Sequence, residues 1–436
     1  MECRTDCRIY CDRARLRIDS FNILITLWGE CFVRILVQKF GGTSLSTFEA
    51  RTHVIEHIRQ ALAQQYNLVV VVSAMGRRGE PYATDTLLDW IKLNGNQLPA
   101  REQDMLLYCG EAISAITLCS LLNAKSISST VLNGAQAGII TDDHFGNAQI
   151  ITVTPKRIYD LLEQGKVVIV TGFQGETIEH DFTTLGRGGS DTTATALGAT
   201  LKAEIVDIFT DVDGVLTADP KIVDNAKRIK HVTFAEICHM AHLGAKVIHP
   251  RAVEIAMHAN IPIRIRSTFL QDEGTLVTSS EALPKETLIM DRHVTGIAYV
   301  PNLTQVKIAN DEGHYDSSLH VFKAMAKEQI SVDFINVNPS GVVYTISDSE
   351  AEKASQALLN LNYKAILTPH CAKVSVIGGG MNGVPGIMAQ IVEALVEEDI
   401  SILQSSDSHI TIWVLVEDKD LNKAVRTLHK KFSLHT

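Results

Sequence analysis

Short runs of β-branched and aliphatic residues recur along the chain with longer amphipathic stretches between them. They are RILVQKF ending at Phe40, NLVVVVSAM from Asn67, KVVIVTGF from Lys166, EIVDIFTDV from Glu204 and IPIRIRST from Ile261. Most are apolar at consecutive rather than alternate positions, and Gly, Ser or Asp bounds them. Strands covered on both faces read this way, so the pattern predicts an α/β fold with a mostly parallel sheet between helix layers. Such sheets take their ligands at the carboxyl ends of the strands. The runs end at Lys39 and Gly41, Ser73, Gly172, Thr210 and Asp211, and Arg266, all residues with chemistry to offer.

The pattern changes after QDEGTLVTSS, where Ser279, Ser280 and Pro284 lead into an internal repeat. VFKAMAKEQISVDFINVNPSGVVYTI aligns with IVEALVEEDISILQSSDSHITIWVLV, placing Ile330-Ser331-Val332 opposite Ile400-Ser401-Ile402. A helix precedes each triplet, with Leu319, Phe322 and Ala326 on one apolar face and Ile387, Ile391 and Leu395 on the other. Each copy reads as strand, helix, strand, strand, helix.

Composition narrows the class. With 436 residues, 45% hydrophobic and 21% charged, the chain has the balance of a soluble globular protein of roughly three domains. A net charge of -10 without a basic tract argues against gripping nucleic acid or an anionic membrane by bulk electrostatics. No apolar run is expected to approach the roughly 20 residues of a membrane span. Cys109, Cys119, Cys238 and Cys371 stand singly in apolar surroundings and read as reduced core thiols of a cytoplasmic protein. Cys3, Cys7, Cys11 and Cys31 crowd the first segment but match no zinc or iron–sulfur spacing. That segment, 1–34, carries five arginines ahead of the patch FNILITLW yet lacks a small-residue cleavage site, and it is expected to be an extension outside the fold.

Four stretches carry candidate chemistry. In VQKFGGTSLS a lysine, two glycines and three hydroxyls follow a strand, an arrangement suited to an anion held by converging backbone N–H groups, or to an ordinary polar turn. In TTLGRGGSDTTATALGA, Arg187, Gly188, Gly189, Ser190 and Asp191 open a helix; Ser190 or Asp191 could merely cap it, but capping would not need the Arg-Gly-Gly. FTDVDGVLTADPK lacks the spacing and terminal glutamate of a calcium loop and suits a nucleotide edge or a plain Asp-Gly turn. GAKVIHPRAVEIA sets Lys246 before a helix begun near Pro250, with His249 read as a turn residue. Cys238 and His242 read as helix packing rather than metal ligands, and no resident metal is expected. No P-loop and no protein-kinase motif set is present.

Taken in order, KFGGTS, VVVVSAMG, GEAIS, TLGRGGSDTTA, TDVDGVLTADP and GAKVIHPRAVE closely resemble the aspartate kinases of the amino-acid kinase superfamily, from Ile35 to the C-terminus. The resemblance implies an amino-acid kinase domain at 35–280 followed by two ferredoxin-like βαββαβ ACT domains, at 294–366 and 369–436. The second would borrow a strand from around 295–300. It further implies transfer of the γ-phosphoryl group of ATP, with Mg2+ bound through the nucleotide, to the β-carboxylate of L-aspartate. That step leads towards diaminopimelate, lysine, threonine and methionine. Another amino-acid kinase, or a non-catalytic ACT-type sensor, are the alternatives.

Carried over by residue, the resemblance implies that Lys39 and Asp191 are catalytic, Lys39 as the charge on the phosphates and Asp191 as the group orienting it. ATP would meet Lys39, Phe40, Gly41, Gly42, Ser73, Thr210, Asp211, Leu216, Lys221 and Lys246. Aspartate would meet Thr43, Ser44, Ser73, Thr84, Glu111, Arg187, Gly188, Gly189 and Ser190, with Glu111 holding the ammonium and Arg187 a carboxylate. Many relatives have arginine at the position of Lys221. The ACT pair implies a feedback effector, meso-diaminopimelate or lysine, near Asn382, Gln404, Ser405 and Asp407, in a homodimer or higher oligomer. LQSSDSHITIWVLV is most like the bacillus-type, diaminopimelate-sensitive isoform.

Overall fold

The computed structural model describes residues 34–436 apart from 94, 96–97, 246, 284–292, 310–316 and 382. The N-terminal segment, Lys246 and Asn382 therefore lie outside the described residues.

The five apolar runs become strands of one sheet: β1 (Ile35–Phe40), β2 (Asn67–Val72), β6 (Val167–Thr171), β9 (Ile205–Thr210) and β11 (Ile263–Ser267). With β3 (Ser129–Leu132), β10 (His231–Thr233) and β12 (Thr275–Thr278) they form the order β10-β12-β11-β9-β1-β2-β6-β3. Every neighbouring pair is parallel except β11 with β12. Register aligns the strand ends, Phe40 standing opposite both Val72 and Phe209, and Val72 opposite Thr171. Hydrogen bonds from Ser73 N–H to Phe40 O (3.1 Å) and from Gly172 N–H to Val72 O (2.9 Å) carry the alignment into the loops. The chemistry-bearing ends thus share one level of the sheet.

Helices cover both faces. On one lie α1 (Phe48–Ala63) and α3 (Ala100–Ala124), packed with Leu36, Phe40, Val70 and Val72, with α2 (Thr84–Leu93) against α3. On the other lie α4 (Lys156–Leu162), α5 (Gly189–Leu201), α6 (Phe234–His242) and α7 (Pro250–Ala259), packed with Val37, Val69, Val168 and Ile208. Local signals set the helix ends. Thr47 accepts a bond from Ala50 N–H to cap α1, Thr233 and Glu236 close a capping box on α6, and Pro250 opens α7. A four-stranded sheet, β5 (Ile150–Val153), β4 (Ile139–Thr141), β7 (Gln174–Glu176) and β8 (Phe182–Thr184), flanks the strand ends; its strands of three or four residues carry too little periodicity to be read in advance.

Two expectations need correction. Helix α3 is long and apolar enough by composition to cross a membrane, its richest 18-residue window having a mean hydropathy of 1.7. The expectation missed it because polar residues interrupt the run; it lies against the sheet and buries Asp104, Glu111 and Ser114. Cys109 is not a core thiol but is exposed on that helix, because it falls on the outward stripe with Met105, Ile113 and Ile116.

Beyond residue 293 the repeat builds one six-stranded sheet, β14 (Asp333–Asn338), β15 (Gly341–Ser347), β13 (Gly296–Ala309), β16 (Ala365–Ile377), β18 (Thr411–Glu417) and β17 (Gln404–Asp407). Strands β13 and β16 are long enough to serve both halves: Gly296–Val300 pairs with Lys373–Ile377, and Leu303–Ala309 pairs with Gly341–Ser347. Helices α8 (Ser317–Lys327), α9 (Ala351–Asn360), α10 (Ile387–Glu397) and α11 (Leu421–Lys431) complete this region. Its core takes in Ala218, Ile222 and Val223 from the segment after β9.

Candidate active site

At the carboxyl ends of β1, β2 and β6 opens a cavity of about 810 Å³ lined by Lys39, Gly42, Ser73, Thr84, Glu111 and the run Gly186–Asp191, among others. That volume falls in the range of small-molecule sites. Alternation along β1 explains its floor. Leu36 and Phe40 turn to the α1/α3 side, while Val37 and Lys39 turn to the side of α5. Lys39 Nζ therefore meets Asp191 in the first turn of α5, at 2.7 Å, with each side chain about 12% exposed.

Two glycines make the walls possible. A side chain at Gly42 would stand 2.7 Å from the carbonyls of both Ala74 and Gly76, so only glycine lets the two loops close on each other. Gly188 has φ +69° and would press a Cβ to 2.2 Å from that of His249. Its left-handed turn delivers Ser190 and Asp191 into the first turn of α5.

Glu111 is 2% exposed and accepts a bond from Ala74 N–H at 3.2 Å. Burial pushes its carboxyl up to about 8, against an ordinary 4.5. Gln174 reaches it at 3.5 Å while accepting from Thr171 Oγ1 at 2.7 Å. Asp104 accepts from the backbone of Gly146 and Thr184, both at 2.9 Å, and from Thr184 Oγ1 at 2.7 Å, pinning the opposite wall. Neither Gln174 nor Asp104 was singled out in sequence, for their partners stand 42 to 80 residues away, Thr171 excepted.

The structure brings Lys39, Gly42, Ser73, Thr84, Glu111, Arg187, Gly188, Gly189, Ser190 and Asp191 into this cavity. Gly41 and Thr43 flank it in the loop after β1, half-buried. Phe40 and Ser44 are enclosed: the Phe40 ring stacks on Phe209 at 4.6 Å, and Ser44 Oγ bonds Thr268 Oγ1 at 2.6 Å. Of Phe40 only the backbone is offered to a ligand. Thr210 and Asp211 end β9 beside β1, and Asp211 pairs with Arg77, which lines the cavity. Leu216 bridges to Arg228, and Lys221 is exposed beside Asp219; neither lines the cavity. Arg266, at a strand end, instead joins Arg264 around the fully buried Asp207. In the C-terminal region Ser405 and Asp407 line a separate hollow of about 440 Å³ with Met381 and Gly383, whereas Gln404 ties the repeats together through Gln305 Nε2 at 2.9 Å.

Residues 34–267 match the profile of the Amino acid kinase family, and residues 366–430 match that of the ACT domain. The chain is 50% identical over 402 residues to Aspartokinase 1 of Bacillus subtilis (strain 168), covering 92% of this chain and all of that one. The chain belongs to the aspartokinases. Among solved structures, E. coli aspartokinase III in complex with aspartate and ADP (R-state) superposes with a TM-score of 0.73 at 25% identity, over 91% of this chain and 99% of that one. The same enzyme in complex with lysine and aspartate (T-state) gives 0.70 at 25% identity over the same shares. For an aspartokinase, the cavity's mixture of cations, buried carboxyls and glycine turns is the relevant chemistry.

Proposed function

We propose that the chain transfers the γ-phosphoryl group of ATP to the β-carboxylate of L-aspartate, giving 4-phospho-L-aspartate and ADP. The observation that carries this reading is the convergence of Lys39, Asp191, Glu111 and Arg187 on one cavity at the strand ends. The acceptor carboxylate, with an ordinary pKa near 3.9, is ionised at neutral pH, so the reaction asks for no general base. It asks for two anions to be held in line and for the charge on the transferred group to be neutralised.

Lys39 supplies that charge from a site where Asp191 fixes its position. Gly41 and Gly42 admit the phosphates, with Ser73 between nucleotide and acceptor. Arg187 takes a carboxylate with two parallel hydrogen bonds, Thr43, Ser44, Thr84, Gly188, Gly189 and Ser190 complete the acceptor pocket, and Glu111 takes the ammonium. Thr210, Asp211, Leu216, Lys221, Lys246 and the Phe40 backbone serve the nucleotide. The cavity's oxygen donors, Ser73, Thr84, Asp85 and Asp191, fit Mg2+ arriving on the phosphates, which takes one or two carboxylates and phosphate oxygens. When bound, that ion neutralises phosphate charge.

The catalytic domain is assigned to 35–280 and the ACT units to 294–366 and 369–436. They act in a cytoplasmic homodimer or higher oligomer whose effector, meso-diaminopimelate or lysine, binds near Asn382, Gln404, Ser405 and Asp407. Lysine in the E. coli structure and the hollow at Ser405 and Asp407 support this reading. ADP release measured with aspartate and with glutamate tests the reaction. Turnover with aspartate alone is expected; turnover with glutamate, or with neither, refutes the assignment.

A further inference from the structure

Cys238 and His242 are four residues apart on α6, so both side chains leave the same face of the helix. In sequence the pair reads as packing. The fold brings Glu254 of α7 across to them: His242 Nε2 lies 3.6 Å and Cys238 Sγ 4.0 Å from Glu254 Oε1, and the three donor atoms all fall within 4.8 Å of one another. Around a tetrahedral ion with Zn–S near 2.3 Å and Zn–N and Zn–O near 2.0–2.2 Å, neighbouring donors stand roughly 3.4–3.6 Å apart. Closing the set therefore takes rotamer adjustments of side chains that are not locked in the core, His242 and Glu254 being 59% and 47% exposed.

We propose that Cys238, His242 and Glu254 form a site for one thiophilic divalent cation of the Zn2+ class, with water in the fourth position. A thiolate and an imidazole select such an ion over Mg2+ or Ca2+, which take oxygen donors. The site is distinct from the cavity that holds the reaction.

The place of the site gives it a use. It staples α6 to α7, the helices on either side of the loop 243–249, and that loop ends at His249, the residue seated on Gly188. Occupancy holds His249, the N-cap residue of α7, against the turn that presents Ser190 and Asp191.

The test is Co2+ titration of the full chain carrying serine at Cys3, Cys7, Cys11 and Cys31, followed by near-ultraviolet absorption. A sulfur-to-cobalt charge-transfer band saturating at one equivalent, and removed by one equivalent of Zn2+, is expected. Cys238→Ser and His242→Ala each abolish it, and Glu254→Gln weakens Co2+ binding by at least the roughly 10–100-fold that losing an outer partner of a ligand costs. Far-UV circular dichroism checks each variant's fold, and Cys238→Ala replaces Cys238→Ser should the hydroxyl disturb α6. No band, a band that survives either of the first two substitutions, or unchanged affinity in Glu254→Gln overturns the proposal.

Discussion

Glu111 is the residue whose environment most constrains the chemistry. With its carboxyl held up to about 8, it is protonated at neutral pH, whereas its proposed grip on an ammonium requires the carboxylate. Aspartate capture, read as kcat/KM, is expected to rise about tenfold per pH unit approaching 8, the slope of one proton. Glu111→Gln should flatten that profile while raising KM. The same shift bears on stability. A folded value above the unfolded 4.5 favours the protonated fold, so the group's stabilising contribution is full below about 4.5 and is lost as pH rises through 8. Glu111→Gln is therefore expected to melt near the parent temperature at about pH 5 and above it at about pH 9, by calorimetry. An unchanged difference across that range would place the titration elsewhere. For Lys39→Ala, turnover should fall about 100- to 1,000-fold with a smaller change in KM, since the proposed role needs its charge most as the phosphoryl group moves.

At the scale of elements, the turn at Gly188 converts a strand exit into a helix start. Gly188→Ala puts a side chain into a left-handed conformation, at ~1–2 kcal/mol, and also into the His249 side chain. Turnover is expected to fall at least about tenfold, since displacing positioned groups by about 1 Å can cost a hundredfold. Ser190 and Asp191 would shift against Lys39, yet the buried sheet should keep the fold, and circular dichroism with steady-state kinetics would separate the two effects. The elements also mark where sequence reading stops. β1, β2, β6 and β9 were legible because apolar runs ended in glycine or hydroxyl residues, and β11 because its apolar positions alternate with arginine. The repeat was legible from its matching triplets and from Ile387, Ile391 and Leu395, which are buried on α10, but the face expected on α8 was misplaced: Leu319 and Ala326 are exposed, and Val321 and Met325 are buried in their place. The four-stranded sheet was not legible, since its strands span three or four residues with little alternation. Nor were the supports of Glu111: Gln174 and Ala74 converge on it only once β6 and β2 lie side by side, as Glu254 reaches Cys238 only once α6 packs on α7.

For the whole molecule, the segment 211–228 stands between the two regions. Its front end, Asp211, pairs with Arg77 at the cavity, while Ala218, Ile222 and Val223 are buried in the core of the C-terminal sheet. Thr217 Oγ1 meets His429 Nε2 at 2.9 Å, Arg426 donates to Ile222 O at 2.7 Å, and Tyr299 OH donates to Asp219 at 2.8 Å. Deleting 303–436 would strip this cover, so lost activity in such a truncation would say little about feedback. A single bond is the better probe. Inhibition requires the effector to bind one arrangement of these contacts better than another, and couplings of about 1–3 kcal/mol change affinity roughly 5- to 150-fold. Tyr299→Phe keeps the ring and removes the bond to Asp219. Because Tyr299 lies on β13, the strand shared by both repeats, and Asp219 lies in the segment after β9, the variant should need several-fold more effector for half-inhibition. Ser405→Ala and Asp407→Ala should do the same by weakening effector binding itself. Equilibrium dialysis of meso-diaminopimelate and of lysine in the absence of substrates separates the cases: binding is expected to stay near parental in Tyr299→Phe and to drop in the other two. Parental inhibition curves in Tyr299→Phe would mean that coupling bypasses the Asp219 bond, leaving the buried contacts of Ile222 and Val223 to carry it.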